Sequence, residues 1–86
     1  MPYSVEVDKD AAKYIKSLDA PTRRRFKEKL DDIKKDPFDS TYSKQLKNRE
    51  ERTARIGDYR MLFEVDVKEQ IIYVVHAAPR GQVYKD

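Results

Sequence analysis

Residues 52–65, RTARIGDYRMLFEV, have the pattern of two β-strands joined by a tight turn. The Gly57-Asp58 pair is a hairpin signal, because glycine accepts the backbone conformations that a two-residue turn requires. Beyond the turn, Met61, Phe63 and Val65 fall on one side of the chain, as expected when one face of a strand is buried. We therefore predict strands over about 52–56 and 59–67.

The segments on either side of this hairpin supply the rest of the fold. Residues 3–8 alternate apolar and polar side chains, which predicts a half-buried strand. Apolar residues at helical spacing predict two helices, the first capped by Asp8 or Asp10 and the second starting near Pro21. After a turn at Lys68-Glu69, residues 70–77 predict a last strand, in which Ile72, Val74 and His76 share a face.

We therefore expect an α+β fold: a strand, a two-helix hairpin and then a three-stranded antiparallel meander. Both helices should pack on one face of the sheet, because each has a single apolar stripe to bury. The opposite face would be a shallow surface carrying Arg60 and its neighbours. A chain of 86 residues suits one domain, spanning 1–86.

The composition also suggests where the protein works. Without cysteine, the chain has neither disulfides nor thiolate metal sites. Its first residues lack the basic and apolar regions of a signal peptide, and the longest apolar run, 71–75, is too short to span a bilayer. We expect a cytoplasmic protein.

The positive charge is concentrated in one segment. Residues 44–60 carry six basic and three acidic side chains, an excess that equals the +3 net charge of the whole chain. Such a patch is typical of a protein that binds a polyanion. A solvated, charge-rich hairpin with no ligand is an equally good interpretation of the composition alone.

The residue types favour one kind of chemistry. The single histidine, His76, lies in a regular strand and is interpreted as structural, and the scattered acidic residues predict no metal or cofactor. Arginine, lysine and tyrosine suit RNA cleavage, in which the 2′-hydroxyl of the substrate is itself the nucleophile. Arginine stabilises the charge of the phosphoryl transition state but is a poor general base, so proton abstraction falls to lysine, tyrosine or another partner.

Two motifs resemble the RelE family of toxins. One is the hairpin stretch 52–65 with its Gly-Asp-Tyr-Arg core, preceded by Gln45-Leu46-Lys47, and the other is the closing PRGQVY at 79–84. The resemblance implies a toxin that enters the ribosomal A site and cleaves mRNA by 2′-hydroxyl attack, leaving a 2′,3′-cyclic phosphate. It also implies a RelB-like antitoxin partner, with operator DNA bound only through the toxin–antitoxin complex, and no membrane association.

The resemblance assigns roles to six residues of this chain. It implies that Arg60, Arg80 and Tyr84 are catalytic: Arg60 would stabilise the transition state, Arg80 would assist the leaving group or the phosphate, and Tyr84 would orient or stack on the substrate. The residues implied to bind substrate are Lys47, Arg52 and Arg55.

Two alternatives concern these basic residues. The family commonly has two basic residues two apart before the turn, whereas Arg52 and Arg55 are three apart and point to opposite faces of a regular strand. Either a bulge realigns them or only one reaches RNA, and we favour Arg55. Arg60 could instead pair with Glu64 on the same face, which would be a purely structural role.

Two other functions fit the same scaffold. A ParE-like toxin would poison DNA gyrase and cut no RNA, although the arginine and tyrosine set argues against it. A non-catalytic RNA-binding module would use the basic segment for affinity alone, and its binding would weaken steeply with salt.

Overall fold

A five-stranded sheet and two helices make up the fold. The computed structural model describes residues 2–47 and 49–79. The elements in chain order are β1 (Ser4–Val7), α1 (Lys9–Lys16), α2 (Ala20–Lys35), β2 (Lys44–Gln45), β3 (Arg52–Ile56), β4 (Tyr59–Asp66) and β5 (Ile71–Pro79). The predicted strand, two helices and three-stranded meander are confirmed, and the two-residue strand β2 is an addition.

The strands are ordered β1-β5-β4-β3-β2 across the sheet. β1 runs parallel to β5, and every other neighbouring pair is antiparallel. β3 has the predicted bounds, β4 ends one residue early, and β5 extends two residues further than predicted, to Pro79. The β3–β4 turn is the predicted one, because Gly57 has a φ of 58° between the paired residues Ile56 and Tyr59.

Both helices start at aspartate caps. The Asp8 carboxylate accepts a hydrogen bond from the backbone N–H of Asp10, and Asp19 accepts one from Thr22 at the start of α2. Pro21 lies in the first turn of α2, where its missing N–H costs no helical hydrogen bond. Within the described ranges, no helix has the length and apolar character needed to cross a membrane.

The core lies between the helices and one face of the sheet. Phe26 and Ile33 of α2 pack in a single buried cluster with Met61, Phe63 and Ile72 of the two central strands. All five are at most 1% exposed. The helices therefore occupy one face, as expected, and the other face of β3, β4 and β5 is named here the open face.

A β-bulge corrects one expectation about β5. Leu62 pairs with His76 and Phe63 pairs with Val74, so Val75 is an extra residue on β5. The bulge interrupts the alternation of the strand and turns Val75 and His76 toward the same side. The prediction that His76 shares a face with Val74 is therefore wrong, since His76 is exposed on the open face beside Leu62.

Candidate functional site: a basic pocket on the open face

The β3–β4 hairpin brings two predicted site residues together. Arg55 and Arg60 are direct cross-strand partners, so their side chains leave the same, open face of the sheet. Arg55 is exposed and its Nε donates a hydrogen bond to the carbonyl oxygen of Gly57, 3.3 Å away. Arg60 is half-buried. Of the two alternatives for β3, the one in which Arg55 faces the site agrees with the structure.

Arg52 lies on the other face of the sheet and is only 8% exposed. Its Nε donates to Ser43 Oγ at 2.8 Å, and its Nη2 donates to the Ser43 carbonyl oxygen at 3.2 Å. The guanidinium also lies over the ring of Phe38, 5.5 Å from the centroid. These contacts hold the 36–43 loop against β3, so the expectation that Arg52 contacts substrate is corrected to a packing role.

The β2–β3 connection presents further cations beside this hairpin. Lys44 pairs with Thr53 across β2 and β3, and Lys47 and Arg49 follow on the connecting loop. The loop is closed by a hydrogen bond from the backbone N–H of Leu46 to the carbonyl oxygen of Glu51, at 3.1 Å. Lys47 was predicted as a site residue. Lys44 and Arg49 were not, and their only sequence signal is membership of the basic segment.

These side chains surround a pocket of about 510 Å³, named here the basic pocket. Among the described residues that line it, five are lysine or arginine and none is acidic. A concave site with one sign of charge concentrates anions and strengthens their binding. The lining residues are Tyr42, Ser43, Lys44, Gln45, Leu46, Lys47, Arg49, Thr53, Arg55 and Arg60.

Thr53, which lines the basic pocket, has a buried hydroxyl without a hydrogen-bond partner among the described residues. Thr53 is 6% exposed, and its Oγ1 has no hydrogen-bond partner among the described residues. A buried hydroxyl without a partner costs about 1–3 kcal/mol, so its retention calls for an explanation. Thr53 also stands two residues before Arg55, on the same face of β3.

Acidic residues gather at the opposite end of β4. Glu64 pairs with Tyr73 and lines a separate cleft with Glu6. Desolvation raises the pKa of the Tyr73 phenol, and the nearby carboxylates of Glu6, Asp66 and Glu69 raise it further. Tyr73 therefore lies in a negatively charged region, outside the basic pocket.

Two of the predicted catalytic residues belong to the closing PRGQVY motif. Arg80 and Tyr84 lie outside the described residues. Of the remaining predicted site residues, the structure brings Lys47, Arg55 and Arg60 together in the basic pocket and sets Arg52 apart. Over the ranges 2–47 and 49–79, no group of three or more histidine or acidic side chains is arranged to hold a metal ion.

A family model agrees with this fold and covers nearly the whole chain. The model for the ParE toxin of type II toxin–antitoxin systems, parDE, matches residues 5–84. The chain therefore belongs to the RelE/ParE superfamily of toxins of type II toxin–antitoxin systems. No curated protein matches the chain in sequence.

Solved structures of RelE toxins share the fold. The archaeal RelE–RelB complex from Pyrococcus horikoshii OT3 is 29% identical, with a TM-score of 0.79 over 95% of this chain and 99% of that one. The RelBE2 complex from Mycobacterium tuberculosis is 22% identical, with a TM-score of 0.80 over 93% and 100%. The intact RelBE complex of E. coli is 18% identical, with a TM-score of 0.81 over 93% and 99%. The chain is a RelE-like toxin by fold.

Proposed function

We propose that this chain is a ribosome-dependent mRNA endonuclease that cleaves in the A site. The observation that carries the proposal is the basic pocket, in which five cationic side chains and no described carboxylate surround a cavity large enough for a nucleotide. An RNA backbone supplies the complementary negative charge. The likeness to RelE toxins is consistent with this ligand.

The proposed reaction uses the substrate's own nucleophile. The 2′-hydroxyl loses its proton and attacks the adjacent phosphorus, the 5′-oxygen of the next nucleotide leaves with a proton, and a 2′,3′-cyclic phosphate remains. Neither a metal nor a cofactor takes part in these steps. The protein must stabilise the extra negative charge that develops on the phosphoryl oxygens, which fixed guanidinium groups do well.

Arg60 and Arg55 are the described residues best situated for that stabilisation, because their side chains lie together at the pocket. Arginine stays protonated at any working pH and cannot act as the base. Lysine is the better candidate for proton transfer, since its ammonium group, unlike a guanidinium, can give up a proton. Lys44 and Lys47 both line the pocket. Arg80 and Tyr84 remain proposed catalytic residues on the strength of the RelE resemblance.

We also propose that a RelB-like antitoxin binds this chain and blocks entry to the ribosome. Similar toxins have been solved as complexes with RelB antitoxins, which supports an antitoxin partner here. Operator DNA would be bound only through that complex. Co-purification of the toxin with the product of an adjoining reading frame tests the proposal, and failure of any flanking product to bind would contradict it.

Gyrase inhibition is the second candidate, and the match to the ParE toxin model favours it. A gyrase poison needs no phosphate-binding pocket for single-stranded RNA, so the basic pocket favours the nuclease. The two functions differ in their products: one gives cuts in translated mRNA, the other inhibits DNA supercoiling without cutting RNA.

The deciding experiment induces wild-type protein and the variants Arg60→Ala, Arg80→Ala and their double mutant, then maps mRNA ends by primer extension. Wild type should cut translated mRNA but not naked RNA, and the double mutant should lose cutting and growth inhibition. Losing one such charge contact is expected to slow cleavage by about a hundredfold or more. Arg24→Ala, at an exposed position on α2, is the matched control. Undiminished cutting by the double mutant would rule out this site.

A further inference from the structure

The unpartnered hydroxyl of Thr53 is exceptional among the buried hydroxyls of the described chain. Thr22 Oγ1 donates to Asp19 at 2.8 Å, and Ser43 Oγ donates to the carbonyl oxygen of Pro37 at 3.1 Å. Thr53 is as buried as these two residues, yet its Oγ1 has no partner within residues 2–47 and 49–79. Buried hydroxyls are normally paired, so a missing partner in a pocket points to a ligand group.

Thr53 lies at the floor of the basic pocket. Across the sheet it pairs with Lys44 on one side and Leu62 on the other, and all three residues face the open side. Thr53 and Lys44 both line the pocket, together with Arg55 and Arg60. Thr53 is therefore the cross-strand partner of a lysine and lies at the cavity proposed to hold RNA.

We propose that Thr53 and Lys44 form a ribonucleotide subsite, in which Thr53 pairs with a ribose 2′-hydroxyl and Lys44 binds an adjacent phosphate. The inference rests on the proposed function, because it takes the pocket to hold RNA. Lysine and arginine side chains only donate hydrogen bonds, which suits phosphate oxygens. A 2′-hydroxyl both donates and accepts, and so does the threonine hydroxyl. Thr53 would thus distinguish RNA from DNA.

Ligand access to Thr53 requires a small movement. Its Oγ1 is shielded from solvent. A rotation about the Cα–Cβ bond, or displacement of a long lysine or arginine side chain of the pocket, would expose the oxygen. For the exposed lysine and arginine side chains, such rotamer changes take picoseconds to nanoseconds and need no change in the backbone.

The experiment measures binding of the full chain, at low salt, to single-stranded RNA and to a deoxyuridine-containing DNA of the same sequence. Wild type should bind the RNA about fivefold more tightly, the usual effect of one added hydrogen bond. Thr53→Val, which keeps the shape of the side chain, should lower RNA affinity to the DNA level and leave DNA affinity unchanged. Thr53→Ser should retain the preference for RNA over DNA, and Lys44→Ala should lower the affinity for RNA and for DNA equally.

The other outcomes are separable. If Thr53→Val still binds RNA more tightly than DNA, the subsite is overturned. An equal loss of affinity for RNA and DNA in Thr53→Val also overturns it, because the hydroxyl would then contact phosphate. Wild type that binds RNA and DNA equally overturns the subsite but leaves the proposed nuclease intact. Wild type that binds neither oligonucleotide overturns the subsite, whereas the proposed nuclease is judged separately by primer extension on translated mRNA. Removing an unpaired buried hydroxyl is not expected to unfold the protein, and thermal unfolding of each variant checks this.

Discussion

Arg55 and Arg60 face each other directly across the β3–β4 hairpin, so two like charges occupy one cross-strand position on the open face. Like charges directly opposite each other on neighbouring strands repel and destabilise the pair. An anionic ligand between them reverses the sign of that interaction. The arrangement is consistent with the proposed RNA-binding role of the hairpin.

Replacing Arg55 should separate stability from function. We expect Arg55→Gln to change the free energy of unfolding by less than about 1 kcal/mol, because relief of the repulsion with Arg60 is opposed by loss of the hydrogen bond to the Gly57 carbonyl oxygen. The same variant should bind single-stranded RNA less tightly. Urea denaturation and oligonucleotide titration measure the two effects, with Arg24→Gln on α2 as a control that changes neither. An Arg55→Gln protein that binds RNA as tightly as wild type would contradict the prediction.

Arg52 should behave in the opposite way. We expect Arg52→Ala to lower the free energy of unfolding by about 1–3 kcal/mol, because it removes two hydrogen bonds to Ser43 and the contact with Phe38. Its affinity for RNA should match that of wild type, since the side chain lies on the helix face. Arg49 is an exposed loop residue, so Arg49→Ala should change the free energy of unfolding little but should bind RNA less tightly than wild type. A clear loss of RNA affinity in folded Arg52→Ala would return Arg52 to the site.

The contrast between these arginines shows how far the sequence alone could lead. The three-residue spacing of Arg52 and Arg55 predicts opposite faces, because strand periodicity is local. The Gly57 turn and the bounds of β3 are predictable for the same reason. The burial of Arg52 depends on Ser43 and Phe38, which belong to a loop whose path is set by tertiary contacts.

Features without a local signal were missed. β2 has only two residues, both polar, and exists because Lys44 and Gln45 pair with β3. The bulge at Val75 falls in an unbroken run of strand-forming residues, with no glycine to mark it, so the face of His76 was predicted wrongly. Lys44 lies at the basic pocket because it belongs to β2, which the sequence did not predict. The role of Thr53 could be inferred only from its burial and its missing hydrogen-bond partner.

The cap of α2 should make stability depend on pH in acid. The Thr22 side chain donates a hydrogen bond to Asp19 and lowers the pKa of that carboxyl below its ordinary value of 3.8. A folded-state pKa below the unfolded one adds stability that is fully present above the unfolded value and is lost as the pH falls through the folded value. We expect Thr22→Val to be less stable than wild type at neutral pH.

The difference between wild type and Thr22→Val should shrink as the pH falls below 3.8. Urea denaturation across this range measures it. Asp19→Asn is the matched control, because asparagine also caps helices but does not titrate there. A difference that stays constant into strong acid would show that Thr22 acts through packing and not through the Asp19 carboxylate.

The salt dependence of RNA binding should show how many cationic side chains contact phosphates of the RNA backbone. For single strands, the logarithm of affinity falls against the logarithm of salt concentration with a slope of about −0.7 for each phosphate neutralised. We expect Lys47→Ala to reduce the magnitude of the slope by about 0.7, because Lys47 lines the basic pocket. Lys27→Ala should leave the slope unchanged, since Lys27 lies on α2 beside Asp31 and outside the pocket. Equal slopes for wild type and Lys47→Ala would show that Lys47 does not contact RNA. An equal reduction of the slope in Lys47→Ala and Lys27→Ala would mean that RNA binds the general positive charge of the chain and not this pocket.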